Sequence, residues 1–161
     1  EFAGTDEYYG HNVPEVSQRS AGKLFLGTYT YNNGSETYNQ GVAFASRPTS
    51  LKGYYTYTND PGDTAEKGKV TVQVLSGETI IGSGSVTLGA VAKYTAFNVP
   101  VTYQANVGKA TSIRVMITSS THASDNQAAE TAAIKVSTFN SRYESAMHGA
   151  TLCVDNLSLA Y

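Results

Sequence analysis

Short runs with an apolar side chain at every second position constrain this chain more than any other feature of its sequence. Val70, Val72 and Val74 alternate with Thr71 and Gln73. Successive side chains of a β-strand point to opposite faces, so this pattern predicts a strand with one buried face and one wet face. Amphipathic helices instead repeat their apolar positions every three or four residues. The chain is therefore expected to build its core from strands.

Turn-forming residues separate these runs. Asn32-Asn33-Gly34, the stretch 59–63 and Ser76-Gly77 each lie between two of them. Glycine and asparagine tolerate the positive φ angles of tight turns, and proline fixes φ. The composition agrees, with 12 tyrosines and 15 glycines, since aromatic residues favour strands. We expect strands at 23–31, 41–46, 51–58, 68–75, 79–88, 94–99, 111–118 and 151–160.

The length and the strand pattern together predict one all-β domain. A chain of 161 residues is long enough to bury a sizeable core. Many short antiparallel strands joined by turns favour a β-sandwich of two sheets. Residues 1–161 are taken as this domain, with an irregular segment at 1–20 and a long loop insertion at 119–150. Within the insertion, 132–139 fits a short extra strand, and 123–131 fits a turn of helix.

Charge, cysteine content and hydropathy exclude several classes of protein. A charged fraction of 15% and a net charge of −2 give no reason to expect nucleic acid or an anionic membrane as partner. No run approaches the ~18 apolar residues of a membrane span. The single cysteine, Cys153, cannot form an internal disulfide. It fits either a small buried side chain or an outward thiol, and we expect it to be inert. The start, Glu1-Phe2-Ala3-Gly4, fits a cytosolic protein or one whose export signal was removed.

No catalytic constellation is visible. The motif G-x-S-x-G is absent, and Gly82-Ser83-Gly84-Ser85 fits a flexible turn or a bulge. The acidic residues lie mostly in turns and do not pair as a glycosidase requires. His122 and His148 lack the close spacing of zinc motifs, so surface histidines explain them better. We therefore expect no enzymatic activity and no cofactor apart from a structural calcium ion considered next.

The last strand changes its apolar parity at Asp155. Leu152 and Val154 lie on one parity, and Leu157 and Leu159 lie on the other. Both sets can face the core only if an extra residue, a β-bulge, sits at Asp155-Asn156. Bulges re-aim side chains, so Asp155 is the candidate ligand for calcium, with acids from turns. The alternative is that a neighbouring backbone N–H or a lysine satisfies Asp155.

The run 51–57 carries the candidate binding residues. Alternation places Leu51, Gly53, Tyr55 and Tyr57 on the core face, and Lys52, Tyr54 and Thr56 on the other. A cation beside an aromatic ring suits a polar ligand with an apolar face, such as a sugar, although ordinary sheet surface is the alternative. Gln73 and Arg114 join Lys52 and Tyr54 if their strands neighbour this one in the same sheet. Arg47 is expected to brace the turn before Pro48.

The segment 41–57 resembles the signature of the family named "putative carbohydrate metabolism domain". Residues 98–103, 113–120 and 149–157 are similar to further parts of that family. The resemblance implies a jelly-roll β-sandwich similar to carbohydrate-binding modules. It also implies an exported, often lipid-anchored protein of Gram-negative gut commensals, in the periplasm or on the outer cell surface. No catalytic residues come with it, and the 119–150 insertion departs from it.

Three functions follow from these observations. A non-catalytic module that binds a glycan or polysaccharide is the leading hypothesis, with tyrosine rings against sugar rings. The second is a structural or adhesive domain of a surface assembly, with other surface proteins as partners. The third is a hydrolase on a sandwich scaffold, which needs two convergent carboxylates or a metal.

Overall fold

In the computed structural model, the described residues are 4–8, 11–15, 22–32, 35–59, 64–105, 107–121 and 150–161. Every regular element among them is a strand, which confirms the all-β prediction. The strands are β1 (Gly4–Tyr8), β2 (His11–Glu15), β3 (Lys23–Phe25), β4 (Gly27–Asn32), β5 (Ser35–Gln40), β6 (Val42–Ala43), β7 (Ser50–Thr58), β8 (Gly68–Ser76), β9 (Thr79–Leu88), β10 (Val91–Pro100), β11 (Thr102–Tyr103), β12 (Ser112–Thr118) and β13 (Thr151–Ala160).

Two principal antiparallel sheets form a sandwich. The larger sheet has six strands, in the order β11-β9-β8-β12-β3 with β6 also paired to β12. The smaller sheet has three strands, in the order β10-β7-β13. β1 pairs with β2 and β4 with β5 as separate hairpins. All of these pairings are antiparallel, as the sequence predicts.

The core lies between the two principal sheets, and the predicted alternation places its side chains. Val70, Val72 and Val74 of β8 are fully buried. From the smaller sheet, Tyr57 is 2% exposed and Tyr55 is 9% exposed, as expected for the core face of β7. The Tyr55 ring meets the Phe97 ring edge to face, with centroids 6.1 Å apart. The apolar faces of both sheets thus form one core.

Two glycines of β9 allow the chain to cross from one sheet to the other. β10 ends at Pro100 in the smaller sheet, and β11 begins at Thr102 in the larger one. A side chain on Gly84 would overlap the carbonyl oxygen of Pro100, and a Cβ on Gly82 would lie 2.5 Å from the Tyr103 ring. Of the two structures expected here, the flexible turn is wrong because both glycines lie inside a paired strand, and a bulge lies directly beside Gly82, between the pairs Val74–Gly82 and Leu75–Ile80. Their missing side chains make room for the crossing chain.

The bulge predicted in the last strand is confirmed. Between the pairs Asp155–Tyr54 and Ser158–Lys52, β13 advances by three positions and β7 by two. Asn156 takes up the extra residue with a φ of 52°, in the left-handed region that asparagine tolerates. Leu157 then lies over Gly53, at the border of the core, with 41% of its surface still exposed.

Several element boundaries differ from the sequence prediction. The expected run 23–31 is divided into β3 and β4 around Leu26, next to Gly27 with its φ of 144°. The hairpin strand β5 was not expected, and the first 20 residues, expected to be irregular, contain β1 and β2. The predicted strand at 132–139 and helical turn at 123–131 lie outside the described residues.

Candidate functional site

The outward side of the smaller sheet brings together the candidate residues of β7 with residues of both neighbouring strands. Lys52 stands directly between Asn98 of β10 and Ser158 of β13. In the next outward row, Tyr54 stands between Ala96 and Asp155. Directly opposed residues of paired strands point to the same face. We call this surface the outer tyrosine face; it comprises Lys52, Tyr54, Tyr94, Ala96, Asn98, Asp155 and Ser158.

Two tyrosines of this face are largely open to solvent. The exposed fraction is 47% for Tyr54 and 55% for Tyr94. Tyr94 lies two positions before Ala96, the cross-strand partner of Tyr54, in the stretch of β10 between Val91 and Thr95 where the register with β7 shifts. Ala96 is too small to cover the Tyr54 ring. The smaller sheet therefore exposes two tyrosines on neighbouring strands.

Polar groups surround the rings. Lys52, Asn98 and Ser158 are exposed and lie in one row across the sheet. They offer an ammonium group, an amide and a hydroxyl within reach of a ligand that covers Tyr54. Apolar rings with a few placed donors and acceptors are typical of sites for small polar ligands.

Sequence reasoning missed Tyr94 and Asn98, although a signal for Asn98 is present. Phe97 and Val99 are buried, so Asn98 between them must face outward. The information that was missing is which strand lies beside β7. That neighbour is set by the topology of the sheet, not by local pattern.

The Asp155 side chain points outward at the bulge, and the residue that follows it in the chain supplies a hydrogen bond. Its Oδ1 accepts a hydrogen bond from the backbone N–H of Asn156, at 2.7 Å. This is one of the alternatives that the sequence left open. Among the residues that the structure describes, no cluster of three or more His, Cys, Asp or Glu side chains is able to hold a metal ion. The turn acids Asp60 and Asp63 lie outside the described residues.

Gln73 and Arg114 do not belong to the outer tyrosine face. They are direct cross-strand partners on β8 and β12, in the larger sheet. We expected them beside Lys52 and Tyr54 only if their strands neighbour β7 in one sheet. That condition is not met, because β7 pairs with β10 and β13 instead. Both side chains face outward on the far side of the core. A single ligand contacting Tyr54 cannot also contact this pair.

On the larger sheet, Arg114 contacts Glu78 and Gly41. Its Nη2 lies 3.7 Å from Oε2 of Glu78, a side chain that is 97% exposed. Its aliphatic stem lies over Gly41, where a Cβ would come within 3.2 Å of Cγ. An ion pair so exposed contributes little to stability.

Arg47 braces the segment before Pro48, as predicted. Its Nη2 donates a hydrogen bond to the carbonyl oxygen of Gly108 at 3.2 Å. Its guanidinium lies 5.1 Å from the centroid of the Tyr103 ring, a cation–π contact. The Tyr103 hydroxyl donates to the carbonyl oxygen of Pro48 at 2.9 Å. Burial raises the pKa of Tyr103 above 10.0, and Tyr161 adds to that rise, whereas the Arg47 charge lowers it.

Cys153 lies on the outward side of β13, opposite Thr56, and is exposed. Of the two alternatives, an outward thiol is the one observed. It lies two positions from Asp155, at the border of the outer tyrosine face.

Comparison with family models, with curated proteins and with solved structures finds no match to this chain. Within the described ranges, the chain has no helix with the length and apolar character that crossing a bilayer requires.

Proposed function

We propose that this protein is a non-catalytic glycan-binding module and that its ligand lies on the outer tyrosine face. The observation that carries the proposal is the pair of exposed tyrosines, Tyr54 and Tyr94, on two neighbouring strands of the smaller sheet. Exposed aromatic side chains cost free energy in water unless a partner covers them. Two such rings beside a lysine and an asparagine are a stronger signal than one exposed tyrosine alone.

The binding mechanism follows from the chemistry of the face. The carbon-bound hydrogens of a sugar ring pack against the tyrosine rings, and the tyrosine hydroxyls remain at the polar edge. Lys52 donates hydrogen bonds to sugar hydroxyls, and Asn98 both donates and accepts them. Asp155 uses one carboxylate oxygen for the Asn156 N–H, and its other oxygen is an acceptor for a sugar hydroxyl.

The finer description of the fold and of its setting belongs to this proposal. A jelly-roll arrangement of the two antiparallel sheets, and export to the periplasm or the outer cell surface, are what the resemblance of segment 41–57 implies. Both are consistent with an open, polar-rimmed face that meets extracellular polysaccharide.

A second candidate function has its own observation. β13 is an edge strand in the described part of the chain, since its only partner there is β7. An open edge can accept a strand from another protein, as in adhesive surface assemblies. A structural or adhesive domain would use this edge rather than the tyrosine rings.

The test is a glycan array probed with the purified protein and with Tyr54→Ala and Tyr94→Ala. Tyr29→Ala is the matched control, because Tyr29 is equally exposed at 47% but lies on the β4–β5 hairpin. We expect both outer-face variants to lose binding and the control to keep it. Binding that survives both variants would refute the assignment to this face. A parallel array with a calcium chelator tests the calcium hypothesis, which requires binding to be lost in that arm.

The same preparations distinguish the adhesive function. Light scattering measures whether the protein assembles with itself, or with candidate surface proteins mixed with it, as strand addition at β13 requires. No glycan bound across a broad array, together with assembly that Cys153→Pro abolishes, would favour the adhesive function.

A further inference from the structure

Lys52 is the cation of the outer tyrosine face, and nothing in the described part of the chain neutralises it. It lies on β7, the central strand of the smaller sheet, and its side chain is exposed. Its direct cross-strand partners are Asn98 and Ser158, which carry no charge. Within the described residues, its ammonium group takes part in no ion pair or hydrogen bond. The Lys52 charge is therefore available to a ligand.

Asn98 places a second hydrogen-bond donor beside that charge. Directly opposed residues of paired strands have Cβ atoms about 4.5–5.5 Å apart. The Asn98 side chain is exposed, and its amide makes no hydrogen bond to the described residues. An ammonium group and an amide N–H at that spacing can both donate to one small anion. Hydrogen bonds between ionised groups are roughly twice as strong as neutral ones, so the pair favours an anion over a hydroxyl group.

The adjacent row provides the surface for a sugar ring. Tyr54 follows Lys52 by two positions on the same outward side of β7, and its partner on β10 is Ala96. Alanine leaves the β10 side of the Tyr54 ring uncovered, and Tyr54 is 47% exposed. A ring that packs there has the two donors one row away, at about 7 Å along the strands. The arrangement fits a sugar ring with an anionic group at its edge.

Asp155 is the acidic residue of this face, and it lies on the opposite side of β7. β10 and β13 flank β7, so the backbones at Asn98 and Asp155 are separated by two strand spacings, about 10 Å. Salt at physiological concentration screens most of the repulsion over that distance. One carboxylate oxygen of Asp155 also accepts the Asn156 N–H at 2.7 Å. An anion is therefore favoured on the β10 side of the face.

We propose that the glycan of the outer tyrosine face carries an anionic substituent, a carboxylate or a sulfate ester, which Lys52 and Asn98 hold while the sugar ring packs on Tyr54. This inference rests on the proposed function and names the class of glycan that it concerns. Lys52 is then the residue that distinguishes acidic glycans from neutral ones. Because the charges are exposed, binding weakens as the ionic strength rises.

The test is a glycan array with matched members, in which one backbone is present in neutral, uronic acid and sulfated forms, followed by calorimetric titration of the member that binds best. We expect an acidic form to bind about 5–10-fold more tightly than its neutral counterpart; whether the uronic acid or the sulfated form does so identifies the anion. Lys52→Met keeps the aliphatic stem and should remove this preference, and Lys52→Arg should keep it. Lys69→Met is the matched control, because Lys69 lies on β8 in the larger sheet.

Two results would overturn the inference while leaving the proposed function in place. One is equal affinity for the neutral and acidic forms, and the other is a preference for the acidic form that survives in Lys52→Met. In both cases, binding that Tyr54→Ala abolishes still supports a glycan site on this face. The absence of binding across the whole array would refute the proposed function and this inference together.

Discussion

Gly84 is the position where a single methyl group should cost most. The site lies inside β9, and a Cβ there would overlap the carbonyl oxygen of Pro100. That obstacle is backbone, at the point where the chain crosses between sheets, so no side-chain rotation relieves it. We expect Gly84→Ala to destabilise the protein by about 2–3 kcal/mol, as overpacking of a closely packed core does.

The magnitude is a balance of two effects. Replacing glycine with alanine at an unstrained site stabilises a protein by about 0.4–1 kcal/mol, because the unfolded chain loses freedom. Gly89→Ala measures that effect alone, since a Cβ at Gly89 meets nothing within 4 Å. The two variants make the same chemical change and should shift stability in opposite directions.

Urea unfolding followed by circular dichroism is the appropriate assay, because the chain has no tryptophan. Thermal unfolding followed by the same circular dichroism signal should show the melting temperature of Gly84→Ala lowered by about 5–10 °C for a chain of this size. The m-value should stay constant if only stability changes. A Gly84→Ala variant as stable as Gly89→Ala would refute the close approach of Pro100 to β9, and with it the described crossover.

Two further predictions concern named side chains. Tyr103→Phe removes the hydrogen bond to Pro48, so we expect a loss of about 1 kcal/mol at pH 8. The folded-state pKa of Tyr103 is raised above 10.0, so the contribution of the neutral phenol is present below that pH and is lost as the pH rises through the folded pKa. The stability gap between wild type and Tyr103→Phe should therefore shrink in urea titrations above pH 10; a gap that grows there contradicts the assignment. At the β13 bulge, Asn156→Val should cost about 1–2 kcal/mol and Asn156→Gly little, because the residue holds a φ of 52°; equal melting temperatures for both variants would argue against the bulge.

The local parts of the fold could be predicted from the sequence because strand alternation is a local property. The buried valines of β8 and the two faces of β7 follow from period 2 alone. The bulge at Asp155-Asn156 also follows, since a strand whose apolar parity changes can keep both halves on the core only by inserting a residue. These predictions required no knowledge of which strands are neighbours.

The composition of the candidate site could not be predicted in the same way. Lys52 and Tyr54 face outward as expected, but Gln73 and Arg114 face outward from the other sheet. The alternation of apolar residues shows which side chains of a strand face outward. Only the order of the strands shows in which of the two sheets that strand lies. Asn98 illustrates the reverse case, since its outward position could be predicted from the sequence but its place beside Lys52 could not.

The bulges on both sides of β7 support the proposal that the outer tyrosine face, rather than the edge of the smaller sheet, is the binding surface. β10 bulges beside Tyr94, and β13 bulges at Asp155. A bulge twists an edge strand and interrupts its row of free backbone groups, which is a common protection against unwanted strand addition. The bulge in β13 therefore makes its edge a poor acceptor for another strand. The same irregularities leave Tyr54 on the regular central strand, between the small Ala96 and the outward-directed Asp155, so that its ring stays open to a ligand.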